Sequence, residues 1–534
     1  MRRNPFIIGA LLLGLLVQGC APKQPRAGHV IILGFDAMSA RGIQRAQTPC
    51  MNQLIEGGAV SLHTRCVRET VSSQNWMSMV SGAPIEIHGV FTNGWNPGKP
   101  ENVPPALSNA KGFFPTVFDV IREQRPGLRQ YAFIEWTAET RMYDMDAFDR
   151  SCVYRKDTTL REPNDVIRKA FETYLQDRPE VLFLSMDVTD HLGHTFGHES
   201  QEYFDGITFF DTLIGDFVRK LEERGWMDDT VILITADHGG IGYGHGGDTM
   251  AEFEIPIILY GKGVTKGKVL QRTSMIYDVA ATVAGLLGVE LPWECRGKFL
   301  DEAFGPKDGA CYAPIPLVHP FEGQADGPVV ITADAPDTRI YYTLDGTDPD
   351  ENATLYTGPF TLEKACEIRS VTYRGNSHSG IESNFLYPDK GETPVFYRLW
   401  RNYSVCEMPD FTKFGKADAS GLIKGLTIDD TGAKGEDYFA ILFSSQLVID
   451  EDADYTFELK ADDGANLWID GKLLINNENA HSVKNARYGT VRLAAGKHPI
   501  KIEYYEFTKQ DRLELRFRKG NGSFRPVTPL DLAQ

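Results

Sequence analysis

The sequence predicts an α/β domain built on a mainly parallel sheet sandwiched by helices, followed by two all-β modules, and three observations carry that prediction. The first is a set of nearly continuous apolar runs: His29 to Phe35, Val181 to Met186, Val231 to Ala236 and Ile255 to Tyr260. A strand that is apolar at successive positions has to be covered on both faces, as the strands of parallel sheets are. The second is helical periodicity in the spacers, as in Tyr203 to Gly225 and Met275 to Gly288, which gives the alternation of a parallel sheet with crossover helices. The third is a change of composition near residue 313, after which strand and turn chemistry replaces helical pattern. A chain of 534 residues is in any case too long for one hydrophobic core.

The amino-terminal segment reads as targeting information. Arg2 and Arg3 precede a 12-residue apolar run, Phe6 to Val17, too short to span a bilayer comfortably. Val17-Gln18-Gly19-Cys20 resembles a bacterial lipobox, which implies a signal peptide over 1–20 and lipidation of Cys20. Residues 21–28 then form a short tether to the first domain, expected over 29–308. The implied location is the bacterial cell envelope, with the protein held to the membrane by lipid and facing the periplasm or the cell surface. Seven cysteines follow Cys20, at 50, 66, 152, 295, 311, 366 and 406, with no CxxC metal pattern; Cys50 with Cys66, or Cys295 with Cys311, could pair. A net charge of −18 and the lack of any basic run argue against a nucleic-acid duplex as partner.

Two linkers, Ala313-Pro-Ile-Pro316 and Asp389-Lys-Gly-Glu-Thr-Pro394, bound the middle module, expected over 313–388. Its Asp345-Gly346 turn stands between β-formers in Tyr341 to Pro349. With Leu355 to Phe360, this segment resembles the carboxy-terminal β-sandwich of chitobiases and β-hexosaminidases. The last module, expected over 394–532, alternates polar and apolar residues, with Asp463-Gly464 and Asp470-Gly471 as hairpin signals. The run Ala461 to Gly471, with Gly496 to Tyr505, resembles a PA14 domain. That resemblance implies glycan contact, and Ca²⁺ held by Asp462 and Asp463.

Histidines point to the chemistry. Five of twelve lie between 191 and 245, beside strand-end carboxylates in Asp190-His-Leu-Gly-His194 and Asp237-His238-Gly-Gly. His and Asp are the usual ligands of Zn²⁺ and similar ions. In order along the chain stand an apolar strand ending in Asp36; Thr70-Val-Ser-Ser-Gln-Asn-Trp-Met-Ser-Met-Val-Ser-Gly82; Asp190-x-x-Gly-His194-x-x-Gly197; Asp237-His238-Gly; and His245-Gly246 ahead of Glu252-x-x-Ile-Pro256. This ordered set resembles the alkaline phosphatase superfamily, and within it the type I phosphodiesterase/nucleotide pyrophosphatase branch.

Carried over residue by residue, the resemblance implies two divalent ions, Zn²⁺ expected: one on Asp190, His194 and His245, the other on Asp36, Ser72, Asp237 and His238. It implies a phosphate-ester hydrolase in which Ser72 is the nucleophile and a phosphoserine forms, with Asn93, 21 residues after Ser72, donating to a phosphate oxygen. Ser73 stands next to Ser72 and is the alternative nucleophile. Asp187 and His191 share the spacing of Asp190 and His194 and offer an alternative frame; Gly193 and Gly197 favour the latter. Trp76, Phe91 and Trp95 are candidates for a leaving-group pocket or for the core. Ser-Gln-Asn after Ser72 lacks the Pro and Arg of the sulfatase signature, which disfavours a sulfatase-like hydrolase. The neutral donor Asn93 suits the single charge of a diester, and no convincing Arg or Lys stands beside the motifs for a second charge, so a diester is preferred over the phosphomonoester of an alkaline phosphatase. A glycan-binding surface lipoprotein with an inactive catalytic domain is the reading from another class.

Overall fold

A computed structural model of the chain describes residues 25–533 except 100–102, 158, 307–310, 322, 336, 389–390, 482–485 and 509–510. Cys20 and the rest of the leader lie outside the described residues.

The first unit runs to Ile315 and takes in Ala333–Thr338 and Thr372–Ser379. Its elements in chain order are β1 (His29–Phe35), α1 (Ala40–Arg45), α2 (Pro49–Gly57), β2 (Ala59–Arg65), α3 (Ser72–Ser81), α4 (Ile85–His88), α5 (Val117–Gln124), β3 (Gln130–Ile134) and β4 (Arg150–Val153). There follow α6 (Asp165–Asp177), β5 (Val181–Met186), α7 (Val188–Phe196), α8 (Gln201–Glu223), β6 (Thr230–Ala236), α9 (Met250–Phe253), β7 (Glu254–Gly261), β8 (Lys268–Val269) and α10 (Asp278–Leu287). The sheet order is β4-β3-β5-β1-β6-β7-β2-β8. Strands β4, β3, β5, β1 and β6 are parallel neighbours, whereas β7 is antiparallel to both β6 and β2. The reversal follows from chain length: only a loop and the one-turn α9 separate β6 from β7, too little for a crossover helix.

Every residue of β1, β5 and β6 is buried, as nearly continuous apolar strands require. Register positions the chemistry. Phe35 pairs with both Met186 and Ala236, so the next residues, Asp36, Asp187 and Asp237, emerge side by side at the carboxyl edge of three adjacent strands. That edge is where ligands sit in open α/β sheets. Helix α3 begins there, and its C-terminal Gly82 is left-handed at φ 74°.

The tether expectation changes at Arg26. Both Arg26 N–H and Ala27 N–H donate to the Leu286 carbonyl at the end of α10, and Ala27 is buried. The chain is therefore held against the domain from Arg26, three residues before β1. The two cysteine pairs the sequence allows do not form: no disulfide joins the seven described cysteines. Cys66 Sγ and Cys295 Sγ instead face the carbonyls of Glu252 and Ser81.

The second unit comprises Pro316–Thr332, Arg339–Val371 and Gly380–Gln534. It contains antiparallel β-structure around two separate cores. One gathers Val318, Val329, Ile331, Ile368 and Leu386; the other gathers Phe439, Phe443, Phe457, Leu467, Ile502 and Tyr504 among others. Asp470-Gly471 makes the turn expected of it, between strands Ala453–Ile469 and Lys472–His481. Asp463-Gly464 does not: both residues lie inside the 17-residue strand Ala453–Ile469. Residues 455–462 of that strand pair with Arg512–Lys519, and residues 464–469 pair with part of Gly496–Glu506. The chain passes from one pairing partner to the other at Asp463, so the pair marks a change of sheet rather than a reversal of direction.

Candidate active site

Asp36 leaves β1 almost wholly buried. Its backbone N–H donates to the Met186 carbonyl, and Trp76 Nε1–H donates to its Oδ2 at 3.1 Å. Trp76 gets there because Gly34 has no side chain: a Cβ at Gly34 would lie 2.6 Å from the indole ring. Trp76 is thus a core residue that orients a carboxylate, which selects the second of the two roles open to it. Trp95 is also buried, while Phe91 is exposed.

Three imidazoles converge on three carboxylates. His238 Nδ1 faces the Gly239 carbonyl at 2.8 Å, His245 Nδ1 the Thr70 carbonyl at 2.8 Å, and His194 Nδ1 the Tyr243 carbonyl at 2.9 Å. A carbonyl only accepts, so each Nδ1 carries a proton, and a ring protonated there alone presents an Nε2 lone pair. Those lone pairs point at carboxylates: His238 Nε2 is 3.3 Å from both Asp36 Oδ1 and Asp237 Oδ2, His194 Nε2 is 3.3 Å from Asp190 Oδ2, and His245 Nε2 is 3.6 Å from Asp190 Oδ1. Asp36 Oδ1, Asp190 Oδ1 and Asp237 Oδ2 are buried without a hydrogen-bond donor. Lone pairs facing bare carboxylate oxygens repel, and a cation between them reverses the sign. Asp190, His194 and His245 form one such group and Asp36, Asp190 and His238 another. The donor set fits divalent metal.

The electrostatics agree. Burial holds the His238 imidazolium off until about pH 3, with the neighbouring His245 adding to the effect. Burial raises Asp36 and Asp237 well above the usual carboxylate range, and the Asp237 and Asp190 charges respectively push them further. Burial also opposes ionisation of Asp190, but the neighbouring imidazoles of His194, His238 and His245 outweigh that and bring it to about 2.

Ser72 is the first residue of α3, buried, with Oγ 3.2 Å from His238 Nε2. Ser73 is buried beside it, and its N–H donates to Asn93 Oδ1 at 3.0 Å. Asn93, itself on the exposed loop, is so tied to the N-terminus of the helix that carries Ser72. Of the alternative frame, Asp187 precedes α7 and its N–H donates to Glu135, while His191 is exposed. Asp187 is raised to about 6 by burial and by the Asp190 charge, against His191, His194 and Arg155.

Other residues complete the site: Thr70 and Glu252 stood in the motifs without a role, whereas His198 and Arg141 carried no linear signal. Thr70 Oγ1 accepts from Gly246 N–H while its carbonyl takes His245, so one residue fixes the His245 loop. Glu252 accepts Gly247 N–H and caps α9 through Thr249. His198 is buried between Gly193 and Gly240, where a Cβ on either glycine would lie within 2.5 Å of its ring. Arg141 Nη2 donates to the Asn93 carbonyl at 2.9 Å, which corrects the expectation of no cation beside the motifs. Arg141 is 48 residues from Asn93 in sequence, and no window short enough to read as a motif contains both. In the second unit, Asp462 and Asp463 are nearly buried; Asp463 Oδ2 accepts from Phe507 N–H and Thr508 N–H.

Residues 30–247 match the family model described as type I phosphodiesterase / nucleotide pyrophosphatase, and the chain carries a domain of that kind. Residues 329–385 match the Fn3 associated model and residues 417–520 the PA14 domain model. Among solved structures, murine ectonucleotide pyrophosphatase / phosphodiesterase 5 is similar at 14% identity, covering 49% of this chain and 96% of that one, with a TM-score of 0.42. The alkaline phosphatase PafA is similar at 12% identity, covering 53% and 100%, with a TM-score of 0.43. A phosphonate monoester hydrolase from Silicibacter pomeroyi is similar at 13% identity, covering 68% and 89%, with a TM-score of 0.40. The first domain is a phosphoester hydrolase domain of the alkaline phosphatase superfamily.

Proposed function

We propose that this domain is a two-metal phosphodiesterase with Ser72 as its nucleophile. The observation that carries the reading is the set of three Nε2 lone pairs and three donorless carboxylate oxygens with Ser72 Oγ among them. Asp190, His194 and His245 would hold one ion; Asp36, Ser72, Asp237 and His238 would hold the other, with Zn²⁺ favoured by imidazole and carboxylate donors. Two such ions supply positive charge that favours an ionised serine and offsets charge on the phosphoryl oxygens. Ser72 Oγ then bonds to phosphorus as the ester oxygen departs, and water cleaves the resulting phosphoserine and returns the hydroxyl. Ser72 sits at a helix N-terminus, where free N–H groups favour phosphate.

Asn93 spends its Oδ1 on Ser73 N–H, which leaves the Nδ2 amide as its donor toward a substrate oxygen. A diester carries one negative charge, and a neutral amide suits it; the second charge of a monoester calls for a cation. The Arg141 guanidinium on the Asn93 carbonyl is the observation that favours the second reading, a phosphomonoesterase. Outside the catalytic domain, the reading includes a lipid anchor at Cys20, and glycan contact through the β-modules with Ca²⁺ at Asp462 and Asp463.

Hydrolysis of bis- and mono-nitrophenyl phosphate by metal-loaded protein tests the proposal. The diester should be the better substrate. Ser72→Ala should lose turnover yet keep metal, and Asp237→Ala and His238→Ala should lose both. A wide preference for the monoester would replace the first reading with the second. No hydrolysis of either would leave the glycan-binding reading.

A further inference from the structure

The parallel strands give the catalytic domain two poles. At the carboxyl pole lie Asp36, Ser72, Asp237 and their partners; at the other begin β1, β3, β5 and β6, with Val30, Gln130 and Val231 all in register with one neighbour or another. Three features collect at this second pole. The chain enters there, Arg26 and Ala27 bonding to Leu286 with the Arg26 guanidinium 4.5 Å over the Phe299 ring. Helix α5 ends there, with Gln124 exchanging two hydrogen bonds with the backbone of Glu290 and Arg125 donating to the Leu287 carbonyl. The loop after Glu290 is pinned to the far end of α3: Arg296 N–H and Gly297 N–H donate to the Gly82 carbonyl, and Cys295 Sγ faces the Ser81 carbonyl.

At the tip of that pinned loop stands Trp293, 89% exposed, more than any other large apolar side chain among the described residues. An indole held out in water is costly, whereas at a bilayer surface its ring lies at headgroup level and its N–H stays hydrated. The loop does not fold the ring back, although Arg296 caps its carbonyl.

We infer that Trp293 and the strand-start pole rest on the membrane that holds Cys20, so that the active site opens away from that membrane. The inference rests on the lipid-anchor reading of Cys20. Six residues from Cys20 to Arg26 reach about 20 Å at most, which keeps this pole, and no other part of the domain, close to the acyl chains. Strand β1, seven residues long, then sets Asp36 about 23 Å above its start. A phosphate ester in the anchoring bilayer lies out of reach of Ser72, and the substrate class is a soluble ester or a polymer approaching from the aqueous side. Arg296 and Lys298 flank Trp293 in the chain, but so do Glu290 and Glu294, so apolar insertion rather than charge holds the pole.

The test uses the lipidated full chain in phosphatidylcholine vesicles with brominated acyl chains, read by tryptophan emission. Wild type should float with the vesicles and be quenched. Trp293→Phe should float, hydrolyse a soluble diester as wild type does, and lose the quenching. The host phosphatidylcholine should stay intact while the soluble diester is cleaved. Equal quenching of Trp293→Phe and wild type overturns the orientation alone, as does hydrolysis of the host lipid. Flotation of Cys20→Ser equal to wild type overturns the anchor reading, and a wild type that does not float overturns both.

Discussion

Asn93 shows how one side chain can serve two ends. Its Oδ1 completes the N-terminus of α3 by accepting Ser73 N–H, and its Nδ2 is the group proposed for the substrate. Truncation to alanine removes both functions, so Asn93→Asp is the sharper variant: it keeps the acceptor for Ser73 and replaces the donor by a charge that repels phosphate. Turnover of a diester should fall by roughly 10²–10³, with metal content and urea stability unchanged, as steady-state kinetics and metal analysis would show. Arg141→Ala separates the two substrate readings. Monoester hydrolysis should fall by a larger factor than diester hydrolysis, because the cation answers the second charge.

At the scale of elements, the loop from β6 to β7 carries His238 and His245 and is held from outside. Gly239 N–H donates to the Glu252 carbonyl, and a Cβ at Gly239 would lie 2.0 Å from the Ala251 oxygen. Both groups are backbone, so neither yields cheaply. Gly239→Ala should cost about 1–3 kcal/mol of stability and displace His238, which urea denaturation and loss of metal would register. Behind β5, Glu139 is wholly buried, accepting from Tyr143 and Ser185 hydroxyls. Burial pushes its pKa to about 8. Between the ordinary glutamate value near 4.5 and 8, the unfolded chain releases a proton that the folded chain keeps. Stability should therefore fall as pH rises through that window and level off above it, at about 1.4 kcal/mol per unit between the two pKa values. Glu139→Gln should flatten the decline in urea titrations at pH 5 and pH 8.

For the whole molecule, the phosphodiesterase-type domain and the PA14 domain belong to different units. The β-rich second unit has a buried acidic group of its own: Glu506 is wholly buried, its Oε1 lacks a hydrogen-bond donor, and Tyr504 OH bonds its Oε2. Burial, with the charges of Asp463, Asp462 and Asp511, raises Glu506 to about 9. A cation beside Asp462 and Asp463 would relieve that crowding. Calorimetric titration of Ca²⁺ into the full zinc-loaded chain should give a binding heat that Asp462→Asn loses; equal heats for both proteins would remove calcium from the β-module. No described helix is long and apolar enough to cross a membrane.

What the sequence by itself determined is local and periodic. Apolar runs at His29–Phe35, Val181–Met186 and Val231–Ala236 read as covered strands because a buried strand needs apolar side chains on both faces. A polar residue directly after such a strand falls on the edge where ligands bind, so Asp36, Asp187 and Asp237 were visible as a set. The turn at Asp470-Gly471 was legible for the same reason, being written in a few consecutive residues. The tertiary structure alone decided what depends on register and sheet order. It set Asp36 and Asp237 each 3.3 Å from His238 Nε2, brought Arg141 to Asn93, gave Trp76 to Asp36 rather than to a pocket, and joined no described cysteines in a disulfide. It also ran Asp463-Gly464 through the middle of a strand, because a turn signal yields when both flanks pair with other strands. Those outcomes join residues far apart in the chain, and the free energy that selects them comes from packing and pairing across the sheet, which no short window of sequence contains.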